Sequence, residues 1–83
     1  MAAKRLDPDV RRAMIAQAAY RVGMRDGLIA AGNAEAVAAE CEEETSVATV
    51  RLYFRTQGEL MRSAAKRDEP GGPLREKLTE LGL

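Results

Sequence analysis

An all-α fold follows from three features of the sequence. Alanine, the strongest helix former, recurs throughout. β-branched residues are few and never alternate over a long run. Apolar residues return at spacings of three and four along most of the chain. At 83 residues the sequence predicts one small, compact four-helix domain with a short C-terminal helix after it. A domain of this size buries about 60–65% of the surface its unfolded chain exposes, so its stability margin is modest. Tyr20, Tyr53 and Phe54 are the only aromatics. The expected core is therefore made of small side chains between closely packed helices.

Residues 1–6 read as a flexible basic arm. Asp7-Pro8 is a helix start, with Asp able to cap and Pro suited to the first helical position. The first helix runs to about Asp26, with Val10, Met14, Ile15, Ala18, Ala19 and Val22 as its inward stripe and Gly27 as its stop. Arg11, Arg12, Arg21 and Arg25 lie mostly off that stripe, and Gly23 permits a close helix crossing. Leu28–Gly32 reads as a connector whose apolar residues plug the core. Asn33 caps a second helix to about Glu43, with Ala34, Val37, Ala38 and Cys41 on one face. Thr45 or Ser46 caps a third helix to about Arg55. Thr56, with Glu59 three residues on, opens a fourth in a capping-box pattern that fades by Arg67. Residues 68–72 read as a linker, and 73–83 as a short helix with Leu74, Leu78 and Leu81 on one face. Eight helical residues are too few to stand alone in water, so this helix has to dock on something.

Composition excludes several functions. There is no His and only one Cys, Cys41. Ser-His-Asp and Cys-His catalysis are therefore impossible, and a zinc site is not expected. No acid–base or nucleophile pair stands out, so the chain reads as a non-enzyme with no cofactor and no metal. Cys41 allows no internal disulfide and reads as a small core residue in a reduced, cytoplasmic setting. Met14, Met24 and Met61 read as core filler. No apolar run approaches the roughly 20 residues of a membrane span, and residues 1–7 lack the apolar stretch of a secretory signal. No small-molecule ligand is expected. The Ala- and Arg-rich composition fits a GC-rich genome, as in bacteria or phages.

Net charge is zero, but the charges are segregated. Residues 4–25 carry a surplus of four bases and residues 26–44 are purely acidic, with six carboxylates. Residues 45–67 again carry four surplus bases, and residues 68–83 two surplus acids. Local field, not net charge, steers a phosphate backbone.

The order of a short helix, a break and a capped second helix within residues 33–60 is the layout of a helix-turn-helix. At 100° per residue, Val47, Val50 and Phe54 fall within about 60° of one another and face the core. Thr45, Ala48, Thr49 and Leu52 then face outward, flanked by Arg51 and Arg55 on one edge and Ser46 and Tyr53 on the other. Small residues let a helix approach base edges. Ala48 and Leu52 suit thymine methyls, and Arg51 or Arg55 can reach guanine or phosphate. Tyr53, Thr56 and the free N–H groups of the next helix suit phosphate oxygens. The candidate DNA-binding residues are Ser46, Ala48, Thr49, Arg51, Leu52, Tyr53, Arg55, Thr56 and Gln57.

The segment VRLYFRTQGELMRSA also resembles the end of a TetR-type DNA-binding domain. Thr49, Val50, Tyr53, Phe54, Thr56, Glu59 and Leu60 match that pattern. Upstream, Ile15 to Ala19, Gly27 and Val37-Ala38 resemble its first two helices. The likeness covers about residues 10–67. It implies a three-helix DNA-binding head with the third helix in the major groove. By position, Ser46, Ala48, Thr49 and Arg51 would approach bases, and Tyr53 and Gln57 phosphate. The turn departs from the family: Glu43-Glu44-Thr45-Ser46 stands where Ala-Gly-Val-Ser is usual, about two residues late. Arg51 replaces a common aromatic and Gln57 a common lysine. The family's ligand-binding domain has no room here, so ligand-induced release is not implied. The overlapping segment SVATVRLYFRTQGEL, in which Thr49-Val50-Arg51 precedes an aromatic and a Gly-x-Leu, more weakly resembles the opening of MerR and excisionase-type domains, but a long helix precedes it and no strand pattern follows.

The expected function is sequence-specific duplex DNA binding by a small transcriptional regulator, aided by a homodimer or protein partner. The alternative is a protein-interaction module, an inhibitor or adaptor of the transcription machinery. There the acidic run Glu42, Glu43 and Glu44 would meet a basic partner, and Leu74, Leu78 and Leu81 would lie in a groove.

Overall fold

The structure, a computed structural model, describes residues 7–83. The basic arm read at residues 1–6 lies outside them. The described residues form six helices and no strand. They are α1 (Pro8–Asp26), α2 (Leu28–Ala31), α3 (Ala34–Glu40), α4 (Val47–Tyr53), α5 (Gln57–Lys66) and α6 (Pro73–Glu80). None of them is long and apolar enough to cross a membrane.

α1 is the hub, packing against α2, α3, α5 and α6. It contributes Ile15, Ala18, Ala19 and Val22, all fully buried. Opposite them lie Leu28 and Ala31 of α2, Val37 of α3, Val50 of α4, and Leu60, Met61, Ala64 and Ala65 of α5. Phe54, just past α4, and Leu74 of α6 complete the core. α4 lies against α3 and reaches the core through Val50 and Phe54.

The connector expected at Leu28–Gly32 is itself one helical turn. Gly27 adopts φ +100°, a conformation that costs glycine little, and ends α1 there. The chain then restarts as α2, and the Gly27 carbonyl accepts the Ala31 N–H at 3.2 Å. That turn sends Leu28 and Ala31 inward and leaves Ile29 exposed. Two other expectations also change. Val10 is 52% exposed, because residues 7–10 at the start of α1 are all exposed and nothing described covers them. Met24 is likewise exposed, so it fills no core.

Three helix starts are capped as their sequences predict. Asn33 Oδ1 accepts the N–H groups of Glu35 and Ala36 at 2.9 and 3.3 Å. Ser46 Oγ accepts that of Thr49 at 3.1 Å. Thr56 Oγ1 accepts that of Glu59 at 3.1 Å. The Glu59 carboxylate reaches back to the N–H of Arg55 at 3.2 Å, one residue before the cap. Asp7 caps α1 without a side-chain hydrogen bond. α3 stops at Glu40 and α4 at Tyr53, each short of the expected end. In both, the next residue, Cys41 or Phe54, turns to an extended conformation.

Residues 68–72 are not a loose linker. Asp68 is 5% exposed and sits under the start of α6. Its carboxylate accepts the N–H groups of Glu69 and Leu74 at 2.9 Å each and of Arg75 at 3.3 Å. A buried carboxylate is tolerable only with such partners, and here it satisfies N–H groups that α6 leaves open. Gly72 is the N-cap of α6, and a Cβ there would collide with the Asp68 carboxylate. Arg75 in turn donates to the Ala65 and Lys66 carbonyls at 3.0 Å each, closing the C-terminus of α5. α6 thus docks on its own domain. Leu74 is buried, Leu78 is half-buried against the core, and only Leu81 is exposed. Gly23 makes room for it: a Cβ there would lie 3.0–3.2 Å from the Leu74 methyls and the Ala31 Cβ.

Removing this internal cap should loosen α6. Asp68→Ala is expected to cost about 1–3 kcal/mol in urea denaturation, because the buried Leu74 N–H loses its acceptor. Asp68→Asn, which keeps one acceptor oxygen, should cost less. Unchanged stability in Asp68→Ala would show that α6 docks without its cap.

Candidate nucleic-acid interface

α4 is a seven-residue helix whose two faces differ sharply. Val50 faces inward and Phe54 follows it at the C-cap, both buried. Ala48, Arg51 and Leu52, spaced three and four apart, face outward and are exposed. Leu52 is 75% exposed, the most exposed of the large apolar side chains described. Burying a leucine contributes about 1.5–3 kcal/mol, so leaving it in water forgoes a stabilising contact. Ser46, Arg55, Thr56 and Gln57 are also exposed. Thr49 and Tyr53 are half-buried, and the Tyr53 side chain packs against the core.

Several candidate groups are already engaged. Ser46 Oγ caps α4 and lies 3.0 Å from Thr49 Oγ1. The Thr56 hydroxyl caps α5. A ligand would compete with these bonds. The unengaged Arg51, Arg55 and Gln57 line a cleft of about 620 Å³, together with Asn33, Ala34 and the capping Thr56. Among the described residues, no carboxylate side chain lines that cleft. The start of α5, at Thr56 and Gln57, lines the same cleft, and the partial positive charge of a helix N-terminus adds there to the two guanidinium groups.

The arginines divide into two sets. Five of those described are committed inside the molecule. Arg12 donates to the Tyr53 carbonyl at 3.0 Å and lies over the Phe54 ring, 4.6 Å from its centre. Arg21 reaches Glu40 Oε2 at 3.3 Å and the Glu40 carbonyl at 3.4 Å. Arg25 donates to Glu40 Oε1 at 3.0 Å and to Asp26 at 3.1 Å. Arg67 binds Gln17 Oε1 at 2.9 Å and the Ala13 carbonyl at 3.1 Å. Arg75 closes the end of α5. Among the described residues, the side chains of Arg11, Arg51, Arg55 and Arg62 have no hydrogen-bond or ion-pair partner. Three of the four helix-one arginines, Arg12, Arg21 and Arg25, thus hold partners within the molecule. No local pattern signals these clamps, since most of them join elements distant in the chain.

The acidic run Glu42–Glu44 is exposed in the six-residue turn between α3 and α4. Glu42 makes one loose contact with Arg21, at 3.9 Å. Glu40, not the run, is the electrostatic anchor. The Arg25 hydrogen bond holds its carboxyl below the usual range, with support from Arg21 and against partial burial. Beside it, burial pushes the half-buried Cys41 thiol up, which disfavours the reactive thiolate.

The chain matches no known family model, and neither a curated protein nor a solved structure is significantly similar to it.

Glu40 ties the C-terminus of α3 to α1, and its lowered pKa fixes the sign of the pH effect. The clamp's contribution is present above the ordinary glutamate range near pH ~4.3 and is lost as pH falls through the lowered folded value. Glu40→Gln should lower the thermal midpoint at pH 7, and the gap to the parent protein should close as melts are taken down to about pH 3. A gap that persists undiminished at low pH would show that the carboxylate's charge is not what holds α3.

Proposed function

We propose that this domain binds duplex DNA sequence-specifically as a small transcriptional regulator. In this reading α3, the turn and α4 act as a helix-turn-helix, with α4 as the helix in the major groove. The observation that carries it is the state of Arg51 and Arg55. They are exposed, unpaired among the described residues and set beside an acid-free cleft, while most other described arginines are clamped. Ala48 and Leu52, on the same outer face as Arg51, supply apolar contact for thymine methyls, and an arginine there can reach guanine or phosphate. Gln57 and the first N–H groups of α5 supply phosphate donors at the edge of the cleft. A single small head binds weakly, so a second copy or a protein partner would complete a high-affinity complex.

A protein-interaction module is the competing reading, and exposed Leu52 is what favours it. The leucine face expected to lie in a partner's groove is mostly spent, because Leu74 and Leu78 dock α6 on its own domain.

The deciding experiment is titration into fluorescent random-sequence duplex at low and near-physiological salt. Affinity should fall linearly with salt on a double-logarithmic plot. Arg51→Ala with Arg55→Ala should weaken binding by about 1–3 kcal/mol for each base edge no longer bound. The same variant should reduce the salt slope by about 1 for each phosphate no longer neutralised. Equal affinity in the parent and the double variant would reject the placement of α4. Binding of a basic protein partner that survives this variant, but fails when Glu42–Glu44 become Gln, would favour the interaction module.

A further inference from the structure

A second groove, of about 630 Å³, runs between the first half of α1 and α5. It is distinct from the cleft beside Arg51. Four cationic side chains line it: Arg12, Arg62, Lys66 and Arg67. Two carboxylates, Asp9 and Glu59, line it too. Glu59 is turned to the Arg55 N–H, and Asp9 sits in the first turn of α1, where the helix dipole favours an acid. Neither forms an ion pair with a groove cation among the described residues. The groove is therefore left with a surplus of positive charge.

The four cations come in two kinds. Arg12 and Arg67 are held in place by their bonds to Tyr53, Gln17 and Ala13. A guanidinium has five N–H donors, so each keeps spare ones while losing little further freedom on binding. Arg62 and Lys66 are exposed, stand one turn apart on α5 and have no partner for their side chains among the described residues. Between them Ser63, also lining the groove, has a buried hydroxyl with no hydrogen-bond partner. An unpaired buried hydroxyl is costly and uncommon in a folded protein.

We propose that this groove is a phosphate-binding site. Three guanidinium groups, one ammonium and a hydroxyl offer more donors than one carboxylate can accept. A phosphate, with more oxygens and up to two charges, matches them better. The phosphate comes either from a nucleic-acid backbone or from a free phosphorylated small molecule. Neither source requires α4 to read DNA.

The test is a ¹⁵N–¹H NMR titration of the full chain with inorganic pyrophosphate, against sodium chloride at matched ionic strength. Saturable shifts are expected at the amides of 59–67 and 12–16. Arg62→Ala with Lys66→Ala should weaken binding by about tenfold or more, since charge-assisted hydrogen bonds are lost. Arg51→Ala with Arg55→Ala should leave the shifts at 59–67 and 12–16 saturable at the same pyrophosphate concentration, whatever happens to amides beside the first cleft. Ser63→Ala should weaken it severalfold with the helical content retained by circular dichroism. Shifts no larger than those in chloride, or equal binding by the Arg62/Lys66 variant, would overturn the site. Duplex titration with the same variant separates the sources. A lowered duplex affinity assigns the phosphate to the nucleic-acid backbone, and an unchanged one alongside lost pyrophosphate binding assigns it to a free ligand. If no duplex binds at all, the function proposed above fails, while the pyrophosphate titration still decides this site.

Discussion

Ala18, Ala19, Val22 and Gly23 give α1 a low surface, and the rest of the molecule is arranged on it. Short side chains let α2, α3, α5 and α6 approach one central helix within a chain that has only three aromatics. At Gly23 even one methyl group would press on Leu74 and Ala31. Such packing is close but thin. An alanine pair removes little apolar area from water, and the stabilisation scales with area. The larger contributions come from a few side chains that reach into this surface: Ile15, Leu60, Leu74, Val50 and Phe54. α4 illustrates the consequence. It touches the body through α3, Val50, Tyr53 and Phe54, and the face that carries Ala48, Arg51 and Leu52 stays exposed.

A thin core leaves the helix ends to be secured by other means. α3, α4 and α5 are followed by Cys41, Phe54 and Arg67, so none has the glycine that commonly closes a helix. Each instead receives an arginine on a final carbonyl. Arg21 binds the Glu40 carbonyl, Arg12 that of Tyr53, and Arg75 those of Ala65 and Lys66. The cation complements the negative end of the helix while its N–H groups satisfy orphan acceptors. Exposed contacts of this type are individually weak, and salt weakens them further. Their role is to place: Arg12 fixes where α4 ends, and so where Arg51 and Arg55 emerge.

The local signals in the sequence translated directly. Pro8 and Gly27 bounded α1, while Asn33, Ser46, Thr56 and Pro73 marked the starts of four later helices. Each depends on contacts within about four residues, which spacing reveals. The inward face of α5 was legible for the same reason, and that of α4 in part: Val50 and Phe54 are buried as expected, but Val47 is half-buried outside the core and Tyr53, placed on the outer edge, packs against it. The unread features are non-local. Val10 fits the apolar stripe of α1, but no described element lies opposite it. Asp68 sits in a Pro/Gly-rich stretch that resembles a linker, and only the return of α6 makes it a buried cap. Leu28–Ala31 is too short to display a period. The division of the arginines is the sharpest case, since identical residues become clamps or free charges according to partners as many as 54 positions away.

That division also explains how a chain of zero net charge can present cationic surfaces. Its acids are not spread evenly against its bases. Glu40 engages two arginines, Asp68 is turned inward onto backbone N–H groups, and Glu59 faces the Arg55 N–H. The side chains of Arg51, Arg55, Arg62 and Lys66 are left without carboxylate partners among the described residues, all within the basic segment 45–67. Phe54 lines both grooves, so the two cationic regions flank the end of α4 rather than lying on opposite sides of the molecule. The Glu42–Glu44 run enters α4 from its other end. On the DNA reading, this polarity has a mechanical consequence. Phosphate is attracted at the C-terminal end of α4 and repelled at its N-terminal turn, so one orientation of the helix in a groove is favoured before any base is read.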